Sequence, residues 1–267
     1  MNIVALRLPL AIVLGMFAFG YGGLCAWVYA KQRNFLYFPQ FTRVEARDTD
    51  FELHRGGQVL RGWVVNPGRP AAILYFGGNA ERIEQGRGQF AAWFPDHSVY
   101  LLPYRGYGAS DGVPREVDLL ADALALFDHV RTRHAGSIAV VGRSLGSGIA
   151  GYVASQRPVA RVVLVTPFDS LANVASSHYP WLPMRWLIRD RYESSRYLAG
   201  YRGPILVIRA GRDAVIPPAN TARLVGALPD RPALVVLPTA DHNSLDGEPG
   251  YRKALVEFLQ EDVRTTP

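Results

Sequence analysis

The stretch from Ser137 to Ala150 (Ser-Ile-Ala-Val-Val-Gly-Arg-Ser-Leu-Gly-Ser-Gly-Ile-Ala) constrains this chain more than any other. Ile138 to Val141 form an unbroken apolar run, the pattern of a strand buried on both faces of a parallel sheet. Gly142-Arg143-Ser144-Leu145-Gly146 then matches G-x-S-x-G, and small residues lead into a helical stretch over 145–156. Gly142 and Gly146 permit a sharp strand-to-helix turn, which projects the serine hydroxyl at the end of the sheet. The bland reading is a tight turn with a capping serine, so the surrounding chain has to decide.

That chain alternates short apolar runs with helical patterns. Strands are expected over 44–53, 59–65, 71–76, 98–102, 137–142, 161–165, 204–209 and 233–237. Helices are expected over 81–94, 115–133, 145–156, 217–228 and 249–261. In 115–133, Val117, Leu120, Leu124 and Phe127 recur at helical spacing, with Asp118, Asp122 and Asp128 at polar positions. Strands alternating with helices indicate a doubly wound α/β domain. The segment 167–202 has no clear strand and carries Tyr179, Trp181 and Leu182, so it reads as a small cap whose aromatics contact substrate.

A nucleophilic serine needs a base. Of the six histidines, only His242 follows a late strand at the carboxyl edge, where the ligand crevice of such a sheet lies. The acid is expected between serine and histidine in chain order. Asp213, after the run Pro204 to Gly211, fits that order; Asp169 is the alternative. Asp241 adjoins His242 and is badly placed to support its ring, and Asn243 shapes the loop. Two backbone N–H groups should hold the oxyanion: Leu145, after the serine, and one in Gly77-Gly78-Asn79-Ala80, with Asn79 favoured over Gly78. The glycines at 77, 78, 142 and 146 shape these loops. No H-E-x-x-H, calcium loop, Walker sequence or G-x-G-x-x-G is present, so neither a metal nor a cofactor is expected.

The amino-terminal end has a different character. Leu8 to Ala30 is 23 residues without a charge, and about 20 in helix span a bilayer core. Arg7 precedes this run, Lys31 and Arg33 follow it, and Trp27 and Tyr29 sit where an aromatic belt lies. The run exceeds a signal peptide's apolar core, and no small-x-small cleavage site follows it. Residues 1–30 therefore read as an uncleaved single-pass anchor, 31–43 as an interfacial linker rich in aromatics, and 44–267 as the catalytic domain. Lys31, Arg33, Arg43 and Arg47 lean the domain toward the cytoplasm. The single cysteine, Cys25, rules out an intrachain disulfide. Leu24 before it argues against a lipoprotein signal. The net charge of +6 is scattered, which excludes a nucleic-acid stripe and leaves membrane lipids as its partner.

Five segments together resemble a known family: Phe76-Gly-Gly-Asn-Ala80, Tyr104-Arg-Gly-Tyr-Gly-Ala-Ser110, Gly142-Arg-Ser-Leu-Gly146, Gly211-Arg-Asp-Ala-Val-Ile-Pro217 and Asp241-His-Asn243. The chain is similar to the membrane-anchored α/β hydrolases related to Bem46 and to ABHD-type serine hydrolases. The resemblance implies an α/β-hydrolase fold: a mostly parallel eight-stranded sheet, helices on both faces, a small cap and an amino-terminal transmembrane helix. It implies Ser144, Asp213 and His242 as triad, and Asn79 and Leu145 as oxyanion donors. Two positions depart from the family pattern: Gly77 where His is common, and Pro103 where Asp is common. Arg105 is expected to bond within its loop or to Asp111. The expected function is serine esterase activity on lipid or long-chain acyl esters near a membrane, through an acyl-enzyme. S-acyl-protein thioester hydrolysis and a catalytically silent scaffold are the alternatives.

Overall fold

A computed structural model describes residues 3–260, with side chains from residue 9. Residues 1–2 of the expected anchor and 261–267 of the expected domain, with the end of the last expected helix, lie outside the described residues.

The chain opens with helix α1 (Ile3–Leu36) and proceeds through β1 (Phe51–Arg55), β2 (Gln58–Val65) and β3 (Ala71–Phe76). Helix α2 (Arg87–Trp93), β4 (His97–Leu101), α3 (Glu116–Arg131), β5 (Ile138–Arg143) and α4 (Leu145–Gln156) follow. After β6 (Arg161–Val165) come three short helices, α5 (Leu171–His178), α6 (Met184–Leu187) and α7 (Ser194–Leu198). The chain closes with β7 (Ile205–Ala210), α8 (Pro218–Ala227), β8 (Ala233–Leu237) and α9 (Pro249–Gln260).

The strands form one eight-stranded sheet in the order β1-β2-β4-β3-β5-β6-β7-β8. β2 runs antiparallel to both β1 and β4; every other pair is parallel. This is the expected fold. β3 and β5 are buried along nearly their whole length because helices cover both faces. One core packs α3, α4 and α7 against the sheet, and the other packs α2 and α9 on the opposite face. The carboxyl ends of β3, β5, β7 and β8 come together at one edge, and the loops leaving them carry the site.

Locally the structure departs from the sequence reading at several points. The first strand starts at Phe51, not at residue 44, because Ala46–Asp48 forms a 3-10 turn. The Asp48 carbonyl in that turn accepts the Trp63 indole N–H at 2.6 Å. The helix expected over 81–94 is a 3-10 turn, Ile83–Gly86, followed by α2. On α3, Val117 is exposed and Asp122 is buried, the reverse of the helical pattern expected. Two arginines reverse it: Arg105 forks onto Asp122 at 2.5 and 2.7 Å, and Arg55 reaches it at 3.1 Å. The expected Arg105–Asp111 bond does not form; Asp111 pairs with Arg61 and the Val59 N–H.

Helix α1 runs on to Leu36, past the expected boundary at residue 30. Its polar end is satisfied by the segment between β6 and β7. Gln32 donates to the Leu187 carbonyl and accepts the Arg189 N–H, and Arg33 grips buried Asp190 with two bonds of 2.7 and 2.9 Å. Such bidentate pairs fix geometry as well as charge.

Candidate active site

Ser144 sits between β5 and α4 with φ +50° and ψ −116°. A non-glycine residue there is strained, and such strain persists only where the surroundings enforce it. Two glycines enforce it here. A Cβ on Gly146 would collide with the backbone carbonyl of Phe76, and one on Gly142 with the carbonyl of Gly146. The helix can therefore start against the strands and hold the serine at a sharp turn. Ser144 immediately precedes the first turn of α4, an end at which the helix dipole favours negative charge.

The structure brings Ser144, His242 and Asp213 into one chain of hydrogen bonds. His242 Nε2 lies 3.0 Å from Ser144 Oγ, and His242 Nδ1 lies 2.8 Å from Asp213 Oδ2. A carboxylate only accepts, so Nδ1 carries the proton and Nε2 faces the serine as acceptor. Asp213 is itself fixed: its Oδ1 accepts the N–H groups of Val215 and Ile216 at 2.9 and 2.8 Å. All three side chains are buried.

Asp169, the alternative acid, is elsewhere employed. It accepts from Asn173, Asn220 and Arg223 at 2.6, 3.0 and 2.7 Å. Burial alone would raise its pKa, but Arg223 and the two amides outweigh it and hold the carboxyl below its usual value. Asp241 accepts the N–H groups of Asn243 and Ser244 at 2.8 and 3.0 Å, which shapes the turn carrying His242.

The loop after β3 carries the two N–H groups, Gly78 and Asn79, expected as candidates for the second donor. The Gly78 N–H is occupied by Glu81 Oε2 at 2.7 Å. Among the described residues, the Asn79 N–H has no such partner, so Asn79 rather than Gly78 has a free N–H. Glu81 also accepts the Tyr75 hydroxyl at 2.5 Å and stands 3.7 Å from Arg143. Arg143 also pairs with Asp246 at 3.1 Å and reaches the His242 carbonyl at 3.4 Å. Burial opposes the Arg143 charge, but Glu81, Tyr75 and Asp246 hold its pKa above the usual range.

Sequence reading missed Glu81 and Arg143. Glu81 lies three residues after Gly78, a local spacing that signals a cap. Arg143 stood as the variable position of its motif, and its partners are distant in sequence.

Above Ser144 lies a cleft of about 470 Å³, lined among others by Asn79, Glu81, Arg82, Arg143, Ser144 and His242. Its walls are largely polar. Tyr179, Trp181 and Leu182 do not line it. They line a second, apolar cavity of about 420 Å³ between α1 and the cap, opposite Leu24, Trp27 and Phe35. Among the described residues no group of three or more metal-ligating side chains gathers.

Residues 71–199 match the model of a family described as serine aminopeptidase, S33. An uncharacterized protein of Mycobacterium tuberculosis is 36% identical over 258 residues, covering 90% of each chain. The chain belongs to the α/β-hydrolase family. Another relative of this hydrolase, described as an uncharacterized membrane protein of Saccharomyces cerevisiae, is 31% identical over 173 residues, 61% of each chain. The hydrolase's fold is also that of the Pyrococcus furiosus esterase Pf2001, at TM-score 0.65 and 16% identity over 80% of this chain and 90% of that one.

Proposed function

We propose that this hydrolase cleaves carboxylic esters with Ser144 as nucleophile, His242 as general base and acid, and Asp213 as the group that orients the imidazole. The continuous Ser144–His242–Asp213 hydrogen bonding carries this reading. His242 Nε2 takes the hydroxyl proton as Ser144 Oγ attacks the ester carbonyl. The oxyanion is held by the N–H groups of Leu145 and Asn79. The intermediate collapses, the C–O bond to the alcohol breaks, and the imidazolium returns its proton to that alcohol. Water, deprotonated by the same imidazole, then attacks the acyl-enzyme, the acyl–Oγ bond breaks, the imidazolium returns its proton to Ser144 Oγ, and the acid leaves.

The substrate is a lipid or long-chain acyl ester reached at a membrane. Helix α1 is long and apolar enough to cross a bilayer and exposes Leu14, Phe17 and Phe19. Patches of that kind mark membrane contact. At 34 residues it extends about 51 Å, beyond a hydrocarbon core of about 30 Å. Its tail therefore reaches out to the domain. The membrane description of the yeast relative agrees, as does the resemblance to Bem46- and ABHD-type hydrolases. The excess of Lys and Arg after the apolar run favours a cytoplasmic domain. Tyr21 on α1 donates to the Trp181 carbonyl at 2.8 Å, so the cap, with Tyr179, Trp181 and Trp186 exposed, packs alongside the apolar run itself. The apolar cavity between α1 and the cap suits an acyl chain, and the polar cleft suits the alcohol or headgroup.

A chain-length series of p-nitrophenyl esters tests the reading, with full-length protein in detergent and an aminoacyl p-nitroanilide as the comparison. kcat/KM is expected to rise from C2 to beyond C8 and to vanish in Ser144→Ala. A preference for C2–C4 would overturn the lipid substrate. Preferred cleavage of the anilide would favour peptidase chemistry.

A further inference from the structure

Resting on that hydrolase reading, the geometry points to a clamp that sets the Asn79 donor from outside the catalytic loop. We propose that Tyr104, Tyr107 and the backbone of Leu36–Phe38, just past the apolar helix, act together as positioning groups for the oxyanion hole. The loop that carries the donor begins with two flexible glycines, Gly77-Gly78, and from within the loop Glu81 restrains Gly78 but not Asn79. Its two outer carbonyls are each tied by a tyrosine. The Tyr104 hydroxyl donates to the Gly77 carbonyl at 2.6 Å, and the Tyr107 hydroxyl to the Asn79 carbonyl at 2.6 Å. The two rings meet edge to face, 5.6 Å apart, so the tyrosines act as one rigid piece.

The end of α1 completes the clamp. The Phe38 N–H is shared between the Tyr107 hydroxyl at 3.0 Å and the Asn79 carbonyl at 3.3 Å. The Asn79 side chain returns the contact, its Nδ2 donating to the Leu36 carbonyl at 3.0 Å. The helix end is in turn pinned by Arg33 on Asp190 and by Tyr37, whose hydroxyl meets Tyr192 at 2.7 Å. The Gly77–Gly78 and Asn79–Ala80 peptides are both held, which brackets the Gly78–Asn79 peptide between them that carries the Asn79 N–H, and Asn79 and Ser144 line the same cleft. The helix that sits in the membrane and the loop that stabilises the oxyanion thus move as one body. A displacement of a reacting group by about 1 Å costs up to 10²-fold in rate, so loosening the clamp is a kinetic event even where the fold survives.

The experiment uses full-length protein in detergent micelles and compares wild type with Tyr104→Phe, Tyr107→Phe and Asn79→Asp. The last keeps the N–H and the side-chain shape but cannot donate to Leu36. Each is assayed on one p-nitrophenyl ester for kcat and KM, and with a trifluoromethyl ketone, whose serine adduct carries the oxyanion. Expected are roughly 10- to 100-fold losses in kcat, matched by the affinity for the ketone, with KM within about threefold. Melting temperatures that stay near wild type separate this from unfolding, and the mildest of the three variants is read if another melts early. Wild-type kcat and ketone affinity in all three variants would overturn the clamp. Losses confined to KM would overturn it as well. A wild-type protein that neither turns over ester nor binds the ketone removes the hydrolase reading itself, an outcome distinct from the other two.

Discussion

At the scale of single residues, Asp213 has its two carboxylate oxygens assigned to different tasks. Oδ1 takes the Val215 and Ile216 N–H groups, and Oδ2 takes the His242 ring. Replacing it by asparagine leaves one oxygen, and the two backbone donors will claim it. The amide then turns its NH₂ toward Nδ1 and forces the proton onto the nitrogen that faces Ser144. Asp213→Asn is therefore expected to lose about 10⁴-fold in kcat with an unchanged fold, as tautomer loss does in a comparable triad. A loss below tenfold in steady-state turnover would show that His242 does not depend on Asp213. These residues were legible in the sequence because each follows a strand end in a fixed order. Glu81, which occupies the Gly78 N–H, was not. Choosing Asn79 over Gly78 in physical terms requires seeing which N–H is already bonded.

At the scale of elements, apolar strands and the small-residue helix α4 could be read closely because burial on both faces leaves an uninterrupted pattern. Where a charged side chain is buried by a distant partner, the pattern misleads. Asp122 on α3 is the instance, since Arg105 and Arg55 approach from other elements. The same holds for the end of α1, which continues because Gln32 and Arg33 find partners about 155 residues away. Asp169 joins α5 to α8 through Asn173, Asn220 and Arg223. Its carboxyl is held below the ordinary value of 3.8 when folded. The contribution is therefore present above that value and is lost as the pH falls through the folded one. Asp169→Asn should melt lower than wild type at pH 7, with the gap closing at pH values below about 3.8. Thermal melts by circular dichroism across that range check it; a gap independent of pH would contradict the charge-based account.

At the scale of the whole molecule, the catalytic chemistry, the cap and the apolar helix meet within one edge of the sheet. The cap leans on α1 through Tyr21, Gln32 and Arg33, and the loop after β3 leans on Leu36 and Phe38. None of these contacts has a signal in the sequence, where residues 1–30 read as an uncleaved anchor and 31–43 as an interfacial linker. Asn79 lines the polar cleft and Leu36 lines the apolar cavity, and a hydrogen bond joins the two residues. All of this has meaning only if Ser144 is an activated nucleophile. Labelling full-length protein in membranes with a fluorophosphonate, followed by mass spectrometry of the adduct, tests that most directly. The account predicts a single stoichiometric adduct on Ser144, absent in Ser144→Ala and strongly slowed in His242→Ala. Equal labelling of wild type and Ser144→Ala, or an adduct on another residue, would contradict it.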